Sequence, residues 1–139
     1  MAVTLRDFMS SGDVLTIEPT ATLGDAARRM RSRNVGAAVV VDADGAVSGI
    51  FTERDLLRAV ADERDPARDE VQSHMTADPV TLPPDHSPSE AAQLMSEGKF
   101  RHIPVVDDGK LLGVVSIRDL VQAELHIHTA DAHMGTDFP

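Results

Sequence analysis

Cysteine, tryptophan and tyrosine are absent from this chain of 139 residues, and phenylalanine occurs only four times. Without cysteine there is neither a disulfide framework nor thiol chemistry, and a reducing compartment is allowed. Without large aromatics the core has to be built from Val, Leu, Ile, Ala and Met. Bases are scarce: 13 Lys and Arg against 23 Asp and Glu leave a net charge of −10. That balance argues against a nucleic-acid partner, because phosphate backbones are bound by clustered Lys and Arg. It leaves room for a small anion, since a local pocket can be positive on an acidic protein. The longest apolar run, Val35 to Val41, falls far short of the roughly 20 residues that cross a bilayer. The first residues lack the basic and apolar regions of a signal peptide. A soluble cytoplasmic chain with no membrane partner is expected. No P-loop lysine motif, nucleophile elbow or His-Glu-x-x-His is present either.

What the chain does have, it has twice. Gly49-Ile50-Phe51-Thr52-Glu53-Arg54-Asp55 returns sixty-four positions later as Gly113-Val114-Val115-Ser116-Ile117-Arg118-Asp119. Each copy has a glycine, two apolar residues, a small hydroxyl residue and, three places on, Asp preceded by Arg. A strand leaving a core would deliver the hydroxyl to its end, where Thr52 or Ser116 suits the N-cap of a following helix, Glu53–Val60 or Ile117–Leu125. The Asp then falls in the first turn, favoured by the helix dipole and able to complete a capping box. Capping alone explains one copy. Two copies with the same apolar spacing behind them, Leu56-Leu57 and Leu120-Val121, call for a fold-level explanation.

The surrounding order repeats as well. Residues 4–9 form a short lead-in helix, Val14–Ile17 a strand, and Thr22 caps a helix to Arg33 with Leu23, Ala26, Ala27 and Met30 at helical spacing. Ala37–Val41 is a β-branched run of the kind found in buried strands, Asp42–Gly45 a turn and Val47–Phe51 the return strand. In the second round Val80–Leu82 is a strand, Ser87–Gly98 a helix, Ile103–Val106 a strand, and Leu111–Val115 its return after an Asp-Asp-Gly turn. Thr16 matches Thr81, Ala26-Ala27 match Ala91-Ala92, and Met30 matches Met95, which signals two structural copies. Each unit is β-α-β-β-α, with a right-handed crossover making its first two strands parallel. One three-stranded sheet with two helices cannot cover both its faces, so the copies are expected to bury the bare faces against each other about a pseudo-two-fold axis. The fold class is α/β (α+β). Residues 5–60 form the first repeat and 75–126 the second. The acidic, solvated linker 61–74 lies between them, with a short helix over Val71–Met75, and 127–139 form a frayed tail.

Two metal-like signals are discounted. Asp42-Ala-Asp44-Gly with Glu53 imitates a calcium loop, but Ala46 and Val47 stand where a ligand and the obligatory glycine belong. His126, His128 and His133 are irregularly spaced in the tail, with no cysteine beside them.

The doubled Gly-φ-φ-Thr/Ser-x-x-Asp motif, "HMTADPVTL" at 74–82 and "RHIPVVD" at 101–107 together resemble a tandem cystathionine-β-synthase (CBS) domain pair, or Bateman module. The resemblance spans roughly 5–60 and 71–126. It implies two clefts, face-to-face pairing of two chains into a disc, and binding of adenine nucleotides or related adenosyl ligands, with no other cofactor. On that resemblance the ribose-binding carboxylates are Asp55 and Asp119, and a carboxylate can accept from both vicinal hydroxyls. Thr52 and Ser116 match the hydroxyl that meets phosphate or ribose at a helix N-terminus. Thr16-Ile17 and Thr81-Leu82 match the base-lining first strand, and Ala37-Ala38 and His102-Ile103 the second-strand border of the ligand. The first copy offers only Gly36-Ala37-Ala38 there. The second offers Lys99, Arg101 and His102, so phosphate is expected nearer the second copy, with Arg54 and Arg118 in matching places able to serve either cleft. The expected function is a non-catalytic sensor of AMP, ADP, ATP or a related adenosyl ligand, homodimeric and acting in trans on another protein. The alternatives are a structural dimerisation module with empty clefts and, more remotely, a phosphohydrolase using Asp55 or Asp119 as base.

Overall fold

The computed structural model describes residues 3–9 and 14–122. Its elements are β1 (Thr16–Ile17), α1 (Leu23–Arg33), β2 (Ala37–Val41), β3 (Val47–Thr52), α2 (Glu53–Ala61), β4 (Thr76–Ala77), α3 (Pro88–Gly98), β5 (His102–Asp107) and β6 (Lys110–Ser116). Residues 117–122 form a further helix, α4. Single 3-10 turns at Leu5–Asp7 and Val71–Ser73 replace the two lead-in helices expected from the sequence.

Local chemistry explains where the helices stop and start. Thr22 accepts from the Asp25 amide at 3.1 Å to open α1, and Asn34 closes it in the left-handed conformation (φ 54°), which Asn tolerates. In α3, Ser87 and Glu90 form a reciprocal capping box, Pro88 holds the first turn, and Lys99 ends the helix with φ 58°. The buried positions Leu23, Ala26 and Met30 of α1 share one face, as do Ala91 and Met95 of α3.

One sheet has the order β1-β2-β3-β4, with β1 parallel to β2 and the other pairs antiparallel. The second has β5 and β6 antiparallel, joined by a parallel bridge from Leu82 to Val105. The strand expected over 80–82 therefore shrinks to one bridging residue. Pro79 and Pro83 flank it, and neither can donate to a ladder. Thr76–Ala77, by contrast, joins the first sheet without any alternation in the sequence to announce it.

Strand alternation divides the core. Ala38, Val40 and Phe51 face the helices of the first half in one apolar cluster, and Ile103, Val105 and Val115 do so in the second. Val39, Ile50 and Pro104 lie on the opposite faces, outside both clusters, yet are buried too. The sheet faces away from the helices are thus closed, as expected if the copies bury them together.

The lead-in turns do not pack where chain order suggests. Leu5 is fully buried in the second half's cluster, and the Leu5 amide donates to the His86 carbonyl at 2.9 Å and Arg6 to Pro84 at 3.1 Å. Val71 is fully buried in the first half's cluster, with Val71 donating to Ala21 at 2.8 Å and Gln72 to Pro19 at 3.0 Å. The two exchanges are equivalent under the repeat. Residues 62–68 of the linker are exposed, but its backbone is not merely solvated. The Asp69 and Pro66 carbonyls accept from Leu23 and Gly24, both at 2.9 Å, satisfying amides that a helix start leaves free.

Leu5→Ala is expected to cost about 2–5 kcal/mol of stability, measured by urea unfolding. Its local effect should appear in the other half, as faster amide exchange in β5 and β6 than in β2 and β3.

Candidate functional site

Both repeated motifs close helix starts. At α2 the Asp55 Oδ2 accepts from the Thr52 amide at 2.9 Å and its hydroxyl at 3.1 Å, while the Thr52 hydroxyl accepts from the Asp55 amide at 3.3 Å. At α4 the Asp119 Oδ2 accepts from the Ser116 amide at 2.8 Å, and Ser116 Oγ accepts from the Asp119 amide at 3.1 Å. Asp55 is buried and Asp119 partly so. Oδ1 of each makes no hydrogen bond among the described residues, and neither is sealed from solvent. Capping therefore uses one oxygen of each carboxylate and leaves the other able to accept.

The amide behind each cap is held by the strand alongside. Glu53 donates to the Gly36 carbonyl at 3.0 Å, and Ile117 to the Arg101 carbonyl at 2.8 Å. Register places Ala37 opposite Thr52 and His102 opposite Ser116. Thus Ala37, Thr52, Arg54 and Asp55 gather at one helix start, and Arg101, His102, Ser116, Arg118 and Asp119 at the other. Ala38 and Ile103, one residue further in, are fully buried in the two core clusters.

A cavity of about 320 Å³ joins the halves: Arg54 from the first lines it with Ala92, Met95, Lys99, Arg101 and Ile117 of the second. Arg54, Lys99 and Arg101 are exposed and form no ion pair among the described residues. The apolar wall of this cavity, from α3 and Phe100, belongs to no motif; only the helical spacing of Ala92 and Met95 and the nearby Lys99 and Arg101 hint at it.

Thr16 and Ile17 are not brought to a helix start. They pair beside Val39 and Val40 and border a separate cavity of about 450 Å³ with Glu18, Arg29, Val41 and Asp42. There Arg29 donates to the Thr16 carbonyl at 2.8 Å and lies 3.6 Å from Glu18 and 3.7 Å from Asp25. Thr81 is exposed, and Leu82 is a core residue bonded through its backbone to Pro104 and Val106. Asp42 Oδ1 accepts from the Asp44 and Ala46 amides and closes the turn between β2 and β3. His126, His128 and His133 fall outside the described residues.

The model of the CBS domain matches residues 5–62 and 68–126. The chain belongs to the CBS-domain family. This CBS pair is 40% identical over 117 residues to an uncharacterised 17.7 kDa protein of Acidianus ambivalens, covering 84% of this chain and 70% of that one. It spans from 19% to 89% of the length of other curated relatives. A CBS-domain containing protein from Agrobacterium tumefaciens superposes with a TM-score of 0.80 at 37% identity, over 89% of this chain and 95% of that one. CBSX2, solved in complex with AMP, superposes with a TM-score of 0.75 at 28% identity, over 91% and 98%. No described helix of the CBS pair is long and apolar enough to cross a membrane.

His102 carries the perturbed titration of this site. Burial holds its imidazole below the ordinary value and Arg101 adds to the lowering, while Asp119 and Glu53 push the other way. Unfolded, the same imidazole binds a proton more readily. Its contribution to stability is therefore complete above 6.5 and is lost as pH falls from there towards the folded-state value. Melting curves across that window should fall more steeply for the native chain than for His102→Gln, whose carboxylates titrate alike; parallel curves would exclude a partly buried, neutral imidazole.

Proposed function

We propose that this CBS pair is a non-catalytic regulatory module that binds an adenine nucleotide (AMP, ADP, ATP or a related adenosyl ligand) between its two repeats. The observation that carries the reading is the cavity where Arg54 of one half meets Lys99 and Arg101 of the other, next to the Ser116–Asp119 helix start. The AMP-bound CBSX2 neighbour supports the same ligand class. In this reading Asp119 Oδ1 accepts from the ribose, Ser116 and the α4 amides face phosphate, and the arginines supply the countercharge. Asp55 and Thr52 are the corresponding groups of the first cleft, which Ala37 and Ala38 border as Ile103 borders the second. Regulation requires that the ligand favour one arrangement of the halves over another, since equal affinity shifts nothing. The module works in the cytoplasm as a homodimer and signals to a separate protein. Leu57 and Val121, matched in the two repeats and 67% and 51% exposed, offer apolar surface for pairing.

A second reading, a dimerisation module without ligand, is favoured by one fact: both motif carboxylates already have a structural task in capping.

Thermal shift with AMP, ADP, ATP, S-adenosylmethionine and NAD separates the two, because a ligand at a hundredfold excess over Kd stabilises by about 2.7 kcal/mol. Asp119→Asn, which keeps an oxygen for the Ser116 amide, should lose the shift and still fold. Undiminished binding in that variant would remove Asp119 from the site. Turnover of a nucleotide by pure protein would refute the non-catalytic reading, and a monomeric mass by light scattering would refute the dimer.

A further inference from the structure

The two helix starts are built alike but charged differently. The same backbone bond ties Glu53 to Gly36 and Ile117 to Arg101, and the left-handed helix ends are Asn34 in one repeat and Lys99 in the other. Where the second repeat presents Lys99, Arg101 and a neutral Ile117, the first presents Asn34, Gly36 and an acid. The Glu53 carboxylate lies over Gly36: its Oε1 stands 3.2 Å from where a Cβ on Gly36 would be. In the first repeat the place matching the Arg101 side chain is thus taken by a negative charge. The contrast stands out on a chain of net charge −10, in which Arg54, Lys99 and Arg101 nevertheless share one cavity without an acidic partner among the described residues.

We propose that only the second place receives phosphate, so that each chain binds one polyphosphorylated ligand, a di- or triphosphate in preference to a monophosphate, which ties Arg54 of the first half to Lys99 and Arg101 of the second. This rests on the nucleotide reading and adds to it charge selectivity and stoichiometry. Three like charges around one cavity repel one another, and every further negative charge on the ligand offsets more of that repulsion. Because the cations come from both halves, the same anion draws the halves together. Exposed cations at this spacing are screened by salt, so affinity falls as ionic strength rises.

Isothermal titration of the full chain with adenosine, AMP, ATP and pyrophosphate, at low and high salt, tests the proposal. One site per chain is expected, with ATP at least about tenfold tighter than AMP at low salt, or roughly 1.4 kcal/mol, and a smaller margin at high salt. Lys99→Gly, which keeps the left-handed backbone, and Arg101→Gly, which copies Gly36, should each erase most of that margin. Asn34→Lys, Gly36→Arg and Glu53→Ile together copy the second place into the first and should raise the stoichiometry to two. Two equal sites in the native chain, an ATP preference that survives both glycine variants, or one site in the triple variant would overturn the proposal. Adenosine binding as tightly as ATP would overturn it and leave the adenosyl reading intact. Pyrophosphate binding as tightly as ATP would uphold the charged cavity and remove the adenine from the account. Binding of no probe would overturn both.

Discussion

The fold depends on a reciprocal exchange. Leu5 completes the core of the second half and Val71 that of the first, each anchored by two backbone hydrogen bonds to the turn ahead of a helix. Neither half has a closed core of its own, because each apolar cluster counts a residue from the other half's lead-in among its buried members. The second half shows the need most clearly: it has two full strands and one bridging residue, and a small sheet of that kind is marginal without further packing. Once the lead-ins cross over, the relative placement of the two helix starts is constrained, and with it the cavity between Arg54 and Arg101.

The repeated acid motif does its structural work with one oxygen of each carboxylate and leaves the other over. The Thr52–Asp55 and Ser116–Asp119 pairs satisfy amides at the starts of α2 and α4 through Oδ2 and the hydroxyl. That fixes the carboxylate's rotamer and leaves Oδ1 preorganised at the end of a strand, at no further entropic cost when a ligand hydroxyl arrives. A capped helix start and a carboxylate oxygen left free to accept are therefore one construction. This is why the motif by itself cannot distinguish a binding cleft from a well-made helix.

Much of this was legible in the chain. The doubled Gly-φ-φ-Thr/Ser-x-x-Asp stretch, the helical spacing of Leu23, Ala26 and Met30, and the Asp/Gly turns each signal local structure, and local rules set them. The crossing of Leu5 and Val71 was not legible, since a buried leucine in a lead-in segment looks the same whichever core receives it. The Thr76–Ala77 strand is too short to show a period of two, and prolines on either side of Val80–Leu82 weakened an apparent strand. The resemblance matches Thr16 and Ile17 to a base pocket by position in the repeat. The register pairs them beside Val39 and Val40, and Arg29, whose repeat counterpart is Leu94, ties down the β1 carbonyl, a contact no motif announces. At the seam, the bases Arg54, Lys99 and Arg101 were visible as residues, but their meeting around one cavity depends on how the halves sit together.

The crossed lead-ins also say something about why the two copies share one chain. A separate copy could bury its lead-in only on another molecule, so its folding would track protein concentration, as it does for any exchanged dimer. Covalent tandem linkage replaces that encounter with an internal one at a high effective concentration. It also frees the two copies to diverge, and the opposite charges at Gly36 with Glu53 and at Arg101 with Ile117 are a divergence that two identical subunits could not have carried.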